Sequence, residues 1–331
     1  MRSFRLRACA AFALVTLATG CAGTSRLASV ADADGLPAQV ELAATPFHAQ
    51  TEHQCGPAAL ATLLGAVGQP VSPEILAQEI YVPGREGSFQ PELVAALRTR
   101  GLMAYELRPD VTDLMAEVAG GRPVLVLQRL GAGPWPAWHF AVVVGYDAHA
   151  GTFLLRSGTE PRLVMRAAQF AATWERADSW ALVALEPGTL PARPDLTRYV
   201  TAAAGLEATG RLDDARAAYV AAMERWPGEM LPRLGLANVT AAQGRWAEAE
   251  RAYRAVLAVD PRQAVAINNR AHALLQLGCA RAAMASLEQG EELLAPGDPM
   301  RPTLERTRRE IVSHAAASAS EPTGCSQFAS R

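Results

Sequence analysis

The second half of the chain repeats a pattern of residues at an interval of 34, and no other feature of the sequence constrains its fold as strongly. A glycine, an alanine and a large apolar or aromatic residue recur in the same places: Gly210, Gly244 and Gly278; Ala215, Ala249 and Ala283; and Tyr219, Tyr253 and Leu287. Pro227 and Pro261 follow the first two copies. A unit of this length buries its apolar face only against its neighbours. The sequence therefore predicts a stacked array in this half.

The pattern resembles the tetratricopeptide repeat, in which small residues lie where two helices cross, an aromatic residue stands in the second helix and a proline closes the unit. We expect three copies over residues 197–312, which is the usual minimum for stacking. The resemblance implies an all-α domain with a concave groove that binds a peptide or a protein partner.

Residues 1–20 have the composition of an export signal. Arg2, Arg5 and Arg7 give a basic start, and residues 8–18 form an apolar stretch that is too short to span a bilayer. Small residues at 18–20 then precede a cysteine. We therefore expect this segment to be removed, and we leave it out of the fold.

Small residues directly before Cys21 resemble the lipobox of bacterial lipoproteins. The resemblance implies that Cys21 is acylated, becomes the mature N-terminus and anchors the chain to a membrane of the bacterial cell envelope. Ala22 follows it in place of the aspartate that marks inner-membrane lipoproteins, which favours the outer membrane and the periplasmic side. A purely secreted product is the alternative.

Length and charge limit the classes of partner. A chain of 331 residues predicts two domains. Its formal charge is −2, and removal of the three signal arginines leaves 28 basic against 33 acidic residues, or −5. This balance gives no reason to expect binding to nucleic acid or attraction to anionic lipid.

The predicted domain organisation follows from composition. Residues 24–42 are small and polar with little periodicity, as in a tether, and 187–194 contain three prolines, as in a linker. The predicted segments are 1–20, signal; 21–43, tether; 44–186, first domain; 187–196, linker; 197–312, repeats; and 313–331, a flexible tail.

The first domain is predicted to be α+β, with helices first and an antiparallel sheet second. Periodicity and capping residues indicate helices starting after Cys55 and Ser72 and at 90–100, 111–118 and 167–174. Strands are expected at 103–107, 123–127, 139–147, 152–157, near Leu163 and at 180–185.

Cys55 is the candidate nucleophile. Pro57 suits the first turn of a helix, so Cys55 is expected at or just before a helix N-terminus. The backbone N–H groups and the positive dipole end at such a terminus favour the thiolate, which is the nucleophilic form. A buried structural thiol is the alternative interpretation.

His139 is the candidate base, because a cysteine nucleophile needs a group that takes and returns protons. It opens an apolar strand, where it would be held rigidly and partly desolvated. The other histidines are His48, His53, His149, His272 and His314. His48 and His53 flank the nucleophile segment, but neither begins a strand, and a satisfied core histidine is the alternative for His139.

Taken together, the segment from Gln50 to Leu60, with Cys-Gly-Pro-Ala-Ala-Leu at its end, and the strand from His139 to Asp147 resemble the papain-like peptidases that remove double-glycine leader peptides from bacteriocins. The resemblance covers roughly residues 44–185. It implies that Cys55 attacks a peptide carbonyl, that His139 is the base and that the Gln50 side chain donates to the oxyanion. Gln54 is the less suitable amide because it adjoins the nucleophile.

The sequence departs from the family at the residue that orients the base. The family has Asp or Asn on the next strand, whereas Ser157 stands at the position that we align with it. Serine can accept a hydrogen bond from the imidazole but lacks the charge that stabilises an imidazolium. Asp147 is expected to be out of reach, and Glu160 is another candidate. The departure leaves open weak, altered or absent activity, including a peptide-binding scaffold or another amide acyl transferase.

Two cysteines lie in the second half of the chain. Cys279 and Cys325 could form a disulfide in an oxidising compartment. Cysteines and histidines show no spacing typical of a zinc finger, and there is no glycine-rich phosphate loop, so no metal or cofactor is expected.

Overall fold

The computed structural model describes residues 22–50, 54–85, 87–131, 137–317 and 321–328. The predicted signal at 1–20 and Cys21, the predicted site of lipid attachment, lie outside these residues. Contacts divide the chain into two compact units. The first comprises the described residues up to Leu97, with Ala104–Leu185 and Pro191–Pro194. The second comprises Arg98–Met103, Glu186–Leu190 and the rest of the chain from Asp195.

The first unit has six described α-helices and seven strands, and its order of elements confirms the α+β prediction. The helices are α1 (Ala22–Ala33), α2 (Cys55–Ala66), α3 (Pro73–Ile80), α4 (Gln90–Thr99), α5 (Val111–Ala119) and α6 (Ala167–Glu175). The strands are β1 (Gln39–Glu41), β2 (Met103–Glu106), β3 (Val124–Leu130), β4 (Ala137–Asp147), β5 (Thr152–Ser157), β6 (Glu160–Arg166) and β7 (Ala181–Leu185).

The strands form one sheet in the order β2-β7-β3-β4-β5-β6, with β1 paired to β4. The first half of β4 pairs antiparallel with β3, and residues 145–147 pair with β1 on that same side once β3 has ended. β5 pairs with the other edge of β4. Adjacent strands joined by a tight turn thus bring the start of β4 beside the end of β5.

The prediction of a tether over 21–43 is wrong for residues 22–41, which include helix α1 and strand β1. Leu27 and Ala31 on α1 are 3% and 2% exposed, and β1 is a full member of the sheet. The Tyr146 hydroxyl also donates to the carbonyl oxygen of Pro37 at 2.9 Å. Three residues of β1 are too few to show alternation, and small residues in α1 hide its apolar stripe, so the sequence pattern gave no signal.

The linker predicted at 187–196 is held to the first unit over part of its length. The backbone N–H of Ala192 donates to Oε1 of Glu117 at 2.6 Å, and Arg193 Nε lies 3.0 Å from Oδ1 of Asp113. Both carboxylates belong to α5 and are almost fully buried. Burial raises the pKa of Glu117, while Arg122 and the Ala192 N–H act in the opposite direction. The prolines therefore mark a segment that is attached to α5 by a hydrogen bond to one buried acid and an ion pair with the other.

The second unit is a succession of helices, as the repeat pattern predicts. They are α7 (Leu196–Ala208), α8 (Leu212–Arg225), α9 (Met230–Ala242), α10 (Trp246–Val259), α11 (Ala264–Gln276), α12 (Ala280–Leu293) and α13 (Arg301–Ala317). Gly210, Gly244 and Gly278 each lie two residues beyond the end of α7, α9 or α11, with φ between 73° and 77°. This left-handed conformation ends a helix at little cost only for glycine, which explains the spacing of 34.

The end of the chain corrects the prediction of a flexible tail at 313–331. Helix α13 continues to Ala317, and Thr323–Phe328 form a 3₁₀ helix. Cys325 forms a disulfide with Cys279, with an S–S distance of 1.96 Å. Glu321 also accepts from the backbone N–H and the guanidinium of Arg281. The disulfide is the pairing of Cys279 with Cys325 that the sequence left open, whereas the composition of the tail gave no sign of the contact between Glu321 and Arg281.

In the part of the chain that the structure describes, no helix has both the length and the apolar character needed to cross a membrane.

Candidate active site

Cys55 is the first residue of α2, at the helix N-terminus that the sequence predicts. Residues 56–64 of this helix are all buried, and α2 packs against β3, β4, β5 and β7. Each fully buried leucine in it contributes about 1.5–3 kcal/mol, so the helix start is fixed by the core. Gln54 has no side-chain capping bond, which leaves the backbone N–H groups of the first turn directed at the space around Cys55. Cys55 is the free cysteine among the described residues.

Cys55 opens into a small pocket that also contains Gln50 and Ser157. The pocket has a volume of about 10 Å³, room for roughly one water molecule. His48, Arg156 and Gly158 form more of its wall, with Phe140 and the first turns of α2. The nucleophile candidate therefore shares one space with the amide proposed for the oxyanion and with the serine aligned to the orienting residue.

His139 is hydrogen-bonded to Ser157. Its Nε2 lies 2.8 Å from the serine Oγ, and its side chain is 9% exposed. Burial lowers the pKa of His139, and no carboxylate is among the causes that act on it. The bond occupies Nε2, so Nδ1 is the ring nitrogen left to exchange a proton with a nucleophile.

The cross-strand neighbour of His139 explains how the ring is held. Gln128 on β3 faces it in the register, is fully buried and donates from Nε2 to the Thr173 hydroxyl at 2.7 Å. His139 thus lies opposite a residue with a fixed amide on one strand, and its ring is bonded to Ser157 on the other.

Cys55 and His139 are not hydrogen-bonded to each other in the described part of the chain, and His139 is not among the residues that line the pocket of Cys55. Ser157 belongs to both groups. Catalytic hydrogen bonds are often long without substrate and tighten when it binds. Three of the four predicted residues therefore line one pocket. The fourth, His139, is linked to this pocket by its hydrogen bond to Ser157.

Gln50 is held by its backbone, and its amide oxygen is free. The backbone N–H donates to the carbonyl oxygen of Gly158 at 3.0 Å, directly after Ser157. Oε1 is buried and has no hydrogen-bond partner among the described residues. Rotation of the amide by 180° exchanges Nε2 with Oε1, so a donor can take this place in the pocket. A buried amide atom without a partner is costly unless a ligand or water satisfies it.

Arg156 fastens the segment before Gln50 to the strand that carries Ser157, and sequence reasoning missed it. Its guanidinium donates to the carbonyl oxygens of Ala43 and Thr45 at 3.1–3.3 Å, and also to that of Pro161. The sequence signal that could have identified Arg156 is its position next to Ser157, because an arginine on a partly buried strand needs hydrogen-bond acceptors.

His48 is the second residue that the geometry brings forward. It was set aside in the sequence because it does not begin a strand, yet it lines the Cys55 pocket and His139 does not. Its neighbour Glu74 has a lowered pKa, chiefly from a backbone hydrogen bond and the Ser72 hydroxyl, with a smaller contribution from the charge of His48. The imidazole of His48 thus lines the pocket, and the imidazole of His139 is hydrogen-bonded to Ser157 in the pocket wall.

The other candidates lie elsewhere. Asp147 accepts from the backbone N–H of Ala150 in the turn after β4. Glu160 on β6 is the cross-strand partner of Ser157, but its side chain is exposed. His149 is exposed in that same turn, and His53 lies outside the described residues. Among the described residues, no group of three or more His, Cys, Asp or Glu side chains could hold a metal ion.

Comparison with family models assigns both halves of the chain. Residues 42–181 match the model described as the Peptidase_C39 like family, and residues 206–266 match a tetratricopeptide repeat. The chain carries a peptidase C39-like domain followed by tetratricopeptide repeats. These matches confirm the two resemblances drawn from the cysteine and histidine motifs and from the 34-residue interval. Among curated proteins, no match was found.

Solved structures similar to the peptidase C39-like domain and to the repeats include three of low identity. A Bacillus anthracis protein assigned to the C39-like peptidases is 18% identical, over 45% of this chain and 98% of its own, with a TM-score of 0.38. The peptidase domain of ComA from Streptococcus, a bi-functional ABC transporter, is 17% identical over 43% and 98%, with a TM-score of 0.35. The Yersinia enterocolitica chaperone SycD, with a peptide of the translocator YopD, is 20% identical over 37% and 93%, with a TM-score of 0.35.

Proposed function

We propose that the protein is a cysteine peptidase in which Cys55 is the nucleophile and His139 is the base. The observation that carries the proposal is the shared pocket of Cys55, Gln50 and Ser157, whose serine is bonded to the buried imidazole of His139. The match of residues 42–181 to the Peptidase_C39 like family supports the same chemistry.

In the first half of the proposed reaction, Cys55 gives its proton to the imidazole and the thiolate sulfur attacks the carbonyl carbon of a peptide bond. The carbonyl oxygen becomes an oxyanion, which accepts hydrogen bonds from the Gln50 side-chain amide and the backbone N–H of Cys55. Removal of one such donor lowers the rate by about 10²–10³-fold. The C–N bond then breaks, and the imidazolium returns its proton to the departing amine.

In the second half, water hydrolyses the thioester that joins the substrate acyl group to Cys55. The neutral imidazole takes a proton from the water, the hydroxide oxygen attacks the same carbonyl carbon, and the C–S bond breaks. The sulfur leaves as thiolate and takes back the proton from the imidazolium, and the substrate leaves as a carboxylic acid that gives its proton to solvent. Every step uses side chains of the first unit.

A second candidate function follows from Ser157. A serine orients the imidazole without supplying the negative charge that would stabilise its protonated form. The domain could then bind a peptide in the pocket without cleaving it, or transfer an acyl group to an acceptor other than water. Both functions keep Cys55 and Gln50 in contact with the peptide.

The repeats are proposed to recruit a protein or peptide substrate. A polar surface on α7, α9 and α11 includes Glu207, Asn238, Asn269 and His272. Asn238 accepts from Asn269 at 3.0 Å and from the Tyr253 hydroxyl at 2.9 Å, so its amide is held in one orientation. Fixed amides of this kind suit the backbone of an extended peptide.

We also propose that a lipid on Cys21 anchors the protein in the bacterial cell envelope, facing the periplasm. Small residues before Cys21 and the basic, apolar segment preceding them support this location. The Cys279–Cys325 disulfide fits an oxidising compartment. Cys21→Ser is expected to move the protein from the membrane fraction to the soluble fraction, because multiple acyl chains make release slow.

Alkylation and hydrolysis together test the proposed activity. Iodoacetamide labelling followed by mass spectrometry of the intact protein should modify the wild type at Cys55, and Cys55→Ala should resist. Hydrolysis of a mixed peptide pool should be present in the wild type and absent in Cys55→Ala and in His139→Gln. Fast alkylation with no cleavage would favour the binding function, and cleavage that survives Cys55→Ala would remove the peptidase proposal.

A further inference from the structure

A cavity in the repeat unit is lined by two arginines and by no acidic residue. It lies between α10, α11 and α12 and has a volume of about 260 Å³. Arg254 and Arg270 supply the positive charge, and Ser286 and Gln289 supply further hydrogen-bonding groups. It uses α10 and α12, whereas the polar recruiting surface described above lies mainly on α7, α9 and α11.

The charge in the cavity is only partly neutralised by the protein. Arg270 is 8% exposed and donates from Nε to the buried Glu250 at 3.0 Å and from Nη1 to the Ser286 hydroxyl at 3.1 Å. Arg254 lies only within 3.7 Å of the same carboxylate and makes no hydrogen bond to the described residues. Two guanidinium groups therefore share one carboxylate, which leaves a net positive charge beside the cavity.

Hydrogen-bond donors remain available in the same place. The Ser286 hydroxyl accepts from Arg270, so its own proton is free to be donated. Arg254 has a side-chain exposure of 41%, which lets its N–H groups reach an incoming ligand. A carboxylate fits these donors because it accepts several hydrogen bonds and supplies the missing negative charge.

The rest of the cavity wall is apolar. Leu257, Ile267 and Leu293 contribute to it, and Leu293 is 46% exposed. Gly290 keeps α11 and α12 close, since a Cβ at this position would lie 2.4 Å from the Ile267 side chain. At about 260 Å³ the cavity lies just below the range of about 300–1,000 Å³ that is typical of sites for drug-sized ligands. A single leucine-like residue with a free carboxylate is small enough to fit it.

We propose that this cavity binds the C-terminal residue of a partner polypeptide, with its carboxylate on Arg254 and Ser286 and an apolar last side chain against Leu257 and Leu293. The ligand class follows from the surplus positive charge, the free donors, the apolar wall and the small volume. The site is independent of the peptidase chemistry, and it holds whether or not Cys55 cleaves peptides.

The test uses the full-length protein and two small probes. N-acetyl-L-leucine has a carboxylate and an apolar side chain, whereas N-acetyl-L-leucinamide has the same shape without the charge. Binding is measured by the rise in Tm with probe concentration and by NMR titration. We expect N-acetyl-L-leucine to bind with a Kd on the order of 1 mM, as befits a fragment of its size, and the amide at least about tenfold more weakly.

Matched variants locate the site. Arg254→Gln should weaken binding of N-acetyl-L-leucine by about tenfold or more, whereas Arg251→Gln should leave it unchanged. Arg251 stands on the same helix, is exposed and is outside the cavity, so it controls for loss of one positive charge. Leu293→Ala should reduce the preference for N-acetyl-L-leucine over N-acetylglycine. Equal binding of the amide, equal effects of Arg254→Gln and Arg251→Gln, tighter binding of octanoate, or no binding at 20 mM would each overturn the proposal.

Discussion

The hydrogen bond between Ser157 and His139 decides how the imidazole can act. It occupies Nε2 at 2.8 Å and therefore leaves Nδ1 for proton exchange. A serine can fix the ring but adds no charge, and burial alone lowers the pKa of His139. The neutral imidazole is thus favoured, which suits a base and works against a stable ion pair with a thiolate.

The pH dependence of stability should show this preference. The pKa of His139 is lower in the folded protein than the usual value of about 6.5. Its contribution to stability is full above that value and is lost as pH falls through the lower folded pKa, because the unfolded chain binds the proton more tightly. We expect the free energy of unfolding of the wild type to fall relative to that of His139→Gln below pH 6.5, by at most about 1.4 kcal/mol per pH unit. Parallel denaturation curves from pH 5 to 8 would contradict this.

Ser157→Asp should supply the negative charge that the aspartate alternative of the family pattern carries at this position. A carboxylate within hydrogen-bond distance of Nε2 favours the imidazolium, so the pKa of His139 should rise. Proton transfer contributes about 10²–10⁴-fold to catalysis, and we expect kcat of the variant to increase by part of this factor. Histidine NMR titration and peptide hydrolysis measure the two effects. Ser157→Asn is the matched control, since it can bond to the ring but adds no charge.

At the scale of elements, the sheet and α2 could be predicted because long apolar or alternating segments give a clear signal in the sequence. The apolar run after Cys55 predicted that this residue begins a helix, and the apolar stretch after His139 predicted that this residue lies near the start of a strand. Both residues have these positions in the structure. The relation of His48 and Gln50 to Cys55 was out of reach of pattern reasoning. Both lie in irregular chain whose course depends on Arg156, which binds carbonyl oxygens more than a hundred residues away.

Strand β1 offers a test of the segment that sequence analysis took for a tether. Gly145 on β4 faces β1 so closely that a Cβ would lie 2.5 Å from the carbonyl oxygen of Val40. Gly145→Ala should therefore push β1 off the sheet and destabilise the protein by about 1–3 kcal/mol, as overpacking does. Gly84→Ala, which has open space around it, should stay within about 0.5 kcal/mol of the wild type. Chemical denaturation compares the two, and equal stability would mean that β1 does not pack as described.

At the scale of the whole molecule, residues 191–194 set the boundary between the peptidase C39-like domain and the repeats. Ala192 and Arg193 satisfy the buried acids Glu117 and Asp113 of α5, so the first unit extends beyond its last strand. A boundary read from proline content alone falls at Glu186 and would remove these partners. Composition locates the connection between two domains. The hydrogen-bond partners of its backbone N–H groups show which part of the connection belongs to a domain.

The division of labour between the two units can be tested with chains that end at Pro194 and at Glu186. Loss of the Ala192 N–H leaves an oxygen of Glu117 without its donor, so the shorter chain should be less stable by about 1–3 kcal/mol. If the repeats recruit the substrate, the chain ending at Pro194 should keep kcat on a small activated peptide and lose kcat/KM on a large protein substrate. We would measure kcat and KM of both shortened chains and of the full-length protein on both substrates. These constants distinguish recruitment of the substrate from structural support of the active site. An equal fall in kcat on small and large substrates at Pro194 would mean that the repeats hold the active site in shape, because recruitment acts only on a substrate large enough to reach them.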